Sequence, residues 1–269
     1  MDHPRWIWQH PTWHSFDWQA ERLAPLLREC AQAQGRLLGM SGVVDQELSV
    51  QSELDALLQN ILTSSAIVES SRHLPGLDPL LRAGVAHFWF VTLHPFDDGN
   101  GRLARAITDL ALAQAEHQAI RFYAMSSSIL KDRAGYYRIL ENSQRGGTDI
   151  SAWLEWFLQT LLSSLQQAMS RIDRVLDKTR FWQQHRQQAL SAQQIKVLNR
   201  LFDGDQDSFA HGISASQYQA LAKVSKATAT RHLADLLAKG CIIRLPGGGR
   251  STRYAANLPE RLGAPGKTP

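Results

Sequence analysis

The sequence predicts a mainly α-helical chain that ends in a small helix-and-ribbon module. Three observations carry that expectation. Apolar residues recur at helical spacing from Asp17 to about Leu38 and again from Asp45 to about Ser71, and further helices are expected up to about Ser170. Strand signals are scarce before Cys241. Beyond it, CIIRLPGGGRSTRYAA offers two short β-prone runs around a glycine-rich tip.

At 269 residues the chain can bury a sizeable core and divide into two or three units. Its 43% hydrophobic and 20% charged residues exclude a disordered chain. A net charge of +4 and a pI near 9.2 admit an anionic partner without requiring one. Cys30 and Cys241 are too few and too far apart for a disulfide framework or a cysteine-rich zinc site, and they fit a reducing cytoplasm. The opening MDHPRWIWQHPTWHSFDW lacks the apolar core of a signal peptide, and no apolar run approaches membrane-spanning length. The expectation is a cytoplasmic protein with no membrane partner.

Trp6, Trp8, Trp13 and Trp18 crowd an N-terminal arm whose rings are expected to pack onto a larger body. Helices are predicted from Asp17 to about Leu38 and from Asp45 to about Ser71, with Gly39 and Gly42 at the break. After Pro75 and Gly76, LDPLLRAGVAHFWFVTL reads as a strongly apolar helix and LARAITDLALAQAEH as another, leaving HPFDDGNGRLAR at the turn between them. Further helices are predicted from Ser128 to Ser143 and from Asp149 to about Ser170, followed by a charged connector, RIDRVLDKTRFWQQHRQQ. The expected divisions are an arm with helices over 1–72, a core over 73–170, a connector over 171–190, a module over 191–258 and a flexible tail over 259–269.

The turn HPFDDGNGRLAR carries the chemistry. Gly99, Asn100 and Gly101 can aim successive amide hydrogens into one concavity, and the helix that follows adds the positive end of its dipole. Arg102 and Arg105 lie one helical turn apart and can flank one anion, which suits a polyphosphate. Asp98 beside such an anion implies an intervening hard cation, magnesium. His94 is a histidine, the side chain that exchanges a proton near neutral pH and so can activate a hydroxyl. Pro95 predicts extended backbone at His94, and Phe96 predicts an anchor in the core.

These residues resemble the signature of the Fic (filamentation induced by cAMP) family: histidine, any residue, phenylalanine, any residue, an acid, GNGR, then a second arginine three positions on. The resemblance implies a mostly helical enzyme that transfers AMP from ATP to a hydroxyl side chain of a target protein. It implies that His94 is the general base and Asp98 the Mg2+ ligand. Gly99, Asn100, Gly101 and Arg102 would hold the α and β phosphates, and Arg105 the γ phosphate. RFYAMSSSI and GYYRILENSQ resemble the family's following segments, where Tyr136 and Tyr137 either line an adenosine pocket or pack a helix. The target is a Ser, Thr or Tyr hydroxyl, on another protein or on the chain itself, and a homodimer stays open.

The arm and first helices also resemble the extension of a bacterial subgroup that ends in a winged helix. There, an inhibitory helix brings a glutamate to the second motif arginine. SSAIVESS supplies Ser65 and Glu69 at that spacing, with Ser70 where glycine or asparagine is usual; an alternative alignment puts Val68 at the glutamate position. Only 24 residues separate Glu69 from His94, too few for the longer segment and hairpin flap that relatives use to align a target.

From Ser191 the sequence reads helix, then helix, short turn, helix, then two strands, the order of a winged helix. Between Ala220 and Ala255 seven basic residues stand against Asp235 alone. Lys226, Arg231, Arg250 and Arg253 are candidate DNA contacts; packing or partner binding is the other reading. Two functional alternatives to AMP transfer stay open: a DNA-binding transcriptional regulator that senses nucleotide in this pocket, and a hydrolase that removes AMP.

Overall fold

The computed structural model describes residues 6–13, 15–41, 77–116, 123–203, 212–246 and 252–258. Two compact units divide the chain, 1–169 and 170–269. No described helix is long and apolar enough to cross a membrane.

The first unit is helical throughout its described elements: α1 (Ala20–Ser41), α2 (Pro79–Leu93), α3 (Asn100–Glu116), α4 (Met125–Lys131), α5 (Arg133–Gln144) and the first half of α6 (Ser151–Gln184). Along α6, Trp153, Leu154, Phe157, Leu158, Leu161 and Leu165 recur every three or four residues and are completely buried. Each such side chain contributes about 1.5–3 kcal/mol relative to exposure, so this stripe is the axis of the unit. α1 lays Leu23, Cys30, Ala33 and Leu37 inward, and Cys30 Sγ donates to Leu158 O at 3.4 Å. The start of α1 is tied to the start of α6: Gln19 N donates to Ser151 Oγ at 2.8 Å, and Arg22 pairs with Glu155.

α2 begins with Asp78 as N-cap, accepting from Leu80 N at 2.8 Å, and with Pro79 at a position that needs no amide hydrogen. Gly84 is required where α2 crosses α6. A Cβ there would lie 2.9 Å from Leu154 Cδ2, while Trp153 Nε1 donates to Gly84 O at 2.9 Å. α2 and α3 form a hairpin sealed by Ala86, Phe90, Ala104 and Ile107.

The arm packs as expected from its aromatics. Trp13 stacks on Trp89 at 5.7 Å, Phe16 meets Phe88 edge-on, and Trp6 lies between Trp8 and the Arg145 guanidinium. Three boundaries differ from the sequence expectation. α1 runs past Gly39 to Ser41. The helix predicted over Ser128–Ser143 is two helices, because Asp132 breaks the run and caps α5 through Gly135 N at 3.0 Å. The stretch expected as a charged connector is helical and continues α6 to Gln184, where Asp177 and Phe181, a turn apart, are buried. The helix expected over 45–71 and the tail lie outside the described residues.

The second unit contains the end of α6, then α7 (Ala192–Asp203), β1 (Ile213–Ser214), α8 (Ala215–Ala222), α9 (Lys226–Ala238), β2 (Ile242–Arg244) and β3 (Arg253–Ala256). The strands pair antiparallel in the order β1-β3-β2, with Ile213 opposite Tyr254 and Ile243 opposite Ala255. Ser214 caps α8 in a reciprocal box with Gln217, and Ser225 caps α9 through Thr228 N. Lys223 makes the turn between them in the left-handed region, φ 54°. The core is Phe181, Val197, Leu198, Tyr218, Leu233 and Leu236 with their neighbours.

Candidate active site

The motif turn joins α2 to α3. α2 stops because His94 adopts the left-handed conformation, φ 46° and ψ 53°, with its N–H still donating to Phe90 O at 3.1 Å. This replaces the extended backbone expected before Pro95. The proline bars the right-handed helical conformation, and the last α2 bond holds the His94 amide, so the chain leaves through the capping turn. The His94 side chain is exposed at the loop.

Asn100 sets the span of the loop. Buried at 3% exposure, it accepts from Phe96 N through Oδ1 at 3.1 Å and donates to Phe96 O through Nδ2. The clamp acts on the Phe96 backbone. The residue, expected as a core anchor, is 53% exposed with its ring 6.4 Å from the Phe90 ring, so the anchor is the Asn100 clamp on its backbone and not a buried ring.

Gly99 sits at φ 87°, a conformation that favours glycine. The nearest atoms to a Cβ built on Gly99 or Gly101 would be Arg102 Nη2 at 3.7 Å and Arg105 Nη1 at 3.8 Å. Both guanidinium groups therefore lie over the glycine face. The amides of Arg102 and Leu103 donate to Gly99 O, whereas those of Asn100 and Gly101 have no acceptor among the described residues. Two unused N–H groups, the positive end of α3 and two guanidinium groups converge there, which suits an anion with several oxygens.

Asp98 lies at the rim. It accepts from Gly99 N at 2.6 Å and from Arg102 Nη2 at 3.2 Å, with side-chain exposures of 93% for Asp98 and 74% for Arg102. A pair so exposed is weak and opens readily for a ligand.

Behind the loop, in the interior of the same unit, is a second polar system. His87, two turns before His94 on α2, is fully buried. Its Nδ1 is 2.8 Å from Thr108 Oγ1 and its Nε2 is 3.0 Å from the Tyr136 hydroxyl. Thr108 Oγ1 donates its single hydrogen to Ala104 O at 2.9 Å, so it can only accept from His87. Nδ1 therefore carries the imidazole hydrogen and Nε2 accepts from Tyr136. Burial, reinforced by the Arg105 charge, pulls His87 down to about 3. Burial pushes Tyr136 up to about 12, with Arg105 opposing it. The chain Tyr136, His87, Thr108, Ala104 is thus neutral and fixed in direction, and it joins α5, α2 and α3.

The structure brings His94, Asp98, Gly99, Asn100, Gly101, Arg102 and Arg105 into one turn. Tyr136 is interior, with its hydroxyl committed to His87; Tyr137 is 55% exposed, its ring 5.5 Å from the Arg133 guanidinium carbon. Ser65 and Glu69 lie outside the described residues. The sequence reading missed His87, Thr108 and the Asn100 clamp. A single histidine inside AGVAHFWF was the available signal. Neither cysteine offers a thiolate: burial pushes Cys30 up to about 12 and raises Cys241 as well.

Comparison with known proteins agrees with the motif. Residues 40–112 match the Fic/DOC family, and residues 6–71 match a domain of unknown function, DUF4172. The protein adenylyltransferase fic-1 of Caenorhabditis elegans and that of Caenorhabditis briggsae are each 30% identical over 90 residues. Those matches cover 34% of this chain and 16% of each relative. Protein adenylyltransferase Fic of Drosophila erecta is 31% identical over 77 residues, 29% of this chain and 14% of the relative. The matched region thus spans about a sixth of the curated relatives' length. A crystal structure of a Fic family protein from Desulfovibrio desulfuricans G20 aligns over 73% of this chain and 54% of that one, with 19% identity and a TM-score of 0.32. Residues 40–112, about a quarter of the chain, are thus similar to the Fic/DOC family.

Proposed function

We propose that this chain is a protein adenylyltransferase, moving AMP from ATP to a serine, threonine or tyrosine hydroxyl of a target protein or of itself. One observation carries the reading: the unused amides of Asn100 and Gly101 lie at the N-terminus of α3 with Arg102 and Arg105 over the glycine face. His94 lies at the start of the same turn, as the cap of α2. The relatives named protein adenylyltransferase support the same reaction.

In this reading the amides and Arg102 hold the α and β phosphates and Arg105 the γ phosphate. His94 takes the proton of the target hydroxyl, and the oxygen attacks the α phosphorus in line. The bond to the bridging oxygen breaks, and its electron pair leaves with pyrophosphate. Asp98 fits a magnesium ligand: an exposed hard oxygen donor whose only charged partner among the described residues is the weakly paired Arg102. Bound there, the ion would offset phosphate charge during transfer. Asn100 positions the turn through Phe96, and its backbone amide serves the ligand.

We further propose that Glu69, with Ser65, restrains Arg105; in the alternative reading Glu69 positions a water that attacks the phosphorus of an AMP-modified target, the bond to the target oxygen breaks, and the target hydroxyl and AMP leave. We read the second unit as a winged helix-turn-helix, supported by its element order and its β1-β3-β2 sheet. Incubation with magnesium and α-labelled ATP tests the transfer: label should appear on protein with the native chain and be absent with His94→Ala. Equal labelling by both, or none by either, removes the reading. Glu69→Gly should raise labelling; no change takes Glu69 out of the inhibitory role.

A further inference from the structure

We propose that the second unit binds duplex DNA along the exposed face of α9 and the neighbouring β2 strand. This deepens the winged-helix reading of that unit and does not depend on the chemistry at His94.

The charge of the chain is segregated between its units. Residues 170–269 hold sixteen lysines and arginines against seven acids, a net +9. Residues 1–169 hold thirteen against eighteen, a net −5, and together these give the +4 of the whole chain. The modest total conceals one strongly basic unit, the electrostatic footprint of a polyanion partner.

The geometry narrows the partner further. α9 follows α8 through a tight turn at Lys223, Val224 and Ser225. Its Ala229, Leu233 and Leu236 point into the core. Lys226, Ala227, Thr230, Arg231, Ala234 and Ala238 are exposed and recur at spacings of three and four, so they share one face. Two cations flank short side chains there, a shape that lets a helix enter a groove about 12 Å wide. Asp235, the one acid of α9, is neutralised from its own unit: Oδ2 accepts from Lys239 Nζ at 2.6 Å and from Gln194 Nε2 at 2.7 Å.

Lys223 at the turn and Arg244 on β2 are exposed as well. The basic residues thus form a set that can follow phosphates on either side of the helix. Arg253, a candidate contact from sequence, is half-buried and donates to Gly212 O at 3.0 Å, which gives it a role in bracing the sheet. Arg250 lies outside the described residues. The exposed Leu237 and Ile243 would suit a protein partner, but they do not account for the clustered charge.

The full chain, titrated onto a fluorescein-labelled random-sequence duplex and followed by anisotropy, tests this. Contacts from Lys223, Lys226, Arg231 and Arg244 would give a slope of log affinity against log salt of about −3 to −4. Lys226→Glu and Arg231→Glu should each weaken binding by about tenfold and flatten that slope by about 1, with an unchanged thermal midpoint. Arg231→Gln should do so less. His94→Ala should bind the duplex as the native chain does, which separates this outcome from failure of AMP transfer. No binding at the lowest salt overturns the proposal. So does equal binding by the native and charge-reversed chains, which would leave Leu237 and Ile243 as a protein-docking face.

Discussion

Two histidines seven residues apart on one helix have opposite surroundings. His94 caps α2, faces solvent and shares its turn with Gly99, while Arg102 and Arg105 follow on α3. His87 is fully buried, both ring nitrogens are bonded, and burial pulls its pKa down to about 3. The contrast separates two jobs that one residue type performs. An exposed histidine is free to exchange a proton with a ligand, and a buried, doubly bonded one fixes the geometry of the helices around it.

The largest effect on activity should come from the exposed member. Replacing His94 by alanine removes the proposed base, for which general-base catalysis is worth about 10²–10⁴-fold. The free energy of unfolding should stay within about 0.5 kcal/mol of the native value, because an exposed side chain is lost. A large fall in stability would show that His94 has a structural role and blur the distinction.

His87 should show the reverse. Its folded value of about 3 lies below the ordinary 6.5, so the unfolded chain binds a proton that the folded chain refuses. Stability attributable to this residue is therefore complete above about pH 6.5 and lost as pH falls toward 3. Between pH 7.5 and 5 the loss is about 2 kcal/mol. Urea unfolding read by tryptophan fluorescence measures it, since seven of the eight tryptophans lie in the first unit. His87→Gln should be less stable at pH 7.5 and show a shallower pH dependence by that amount. Parallel curves for the two proteins would contradict the burial argument.

Tyr136→Phe removes one hydroxyl and leaves His87 Nε2 without a donor in the interior. The expected penalty is about 1–3 kcal/mol. A change near zero would place a water or another donor at that nitrogen.

The difference between the two histidines also explains what was legible in the sequence. The motif turn is local: His94, Asp98, the glycines and both arginines fall within twelve residues, so their meeting follows from chain continuity. The apolar stripe of α6 was legible because periodicity encodes a helix face. The interior chain joins residues 87, 108 and 136, which three separate helices bring together, and no local pattern records that. The extension of α6 beyond Ser170 was not legible because its buried positions there, Asp177 and Phe181, are few and lie within a charged stretch. The outward Phe96 escaped because the sequence shows an apolar ring and not the Asn100 clamp on its backbone.

A small structural effect is also expected at Asp98, where binding separates from folding. Its carboxylate is 93% exposed on the side chain and its partners are Gly99 N and the exposed Arg102 guanidinium. Asp98→Asn keeps an oxygen acceptor for Gly99 N and removes the charge, so stability should change by less than about 1 kcal/mol. If Asp98 holds magnesium, native ATP affinity should rise when magnesium is added and the variant's should not. Asparagine also frees Arg102 from its ion pair, so the variant should bind ATP in chelator at least as well as the native chain. A variant that keeps the full magnesium response would put the ion elsewhere, and Asp98 would be left as the partner that holds Arg102 before nucleotide arrives.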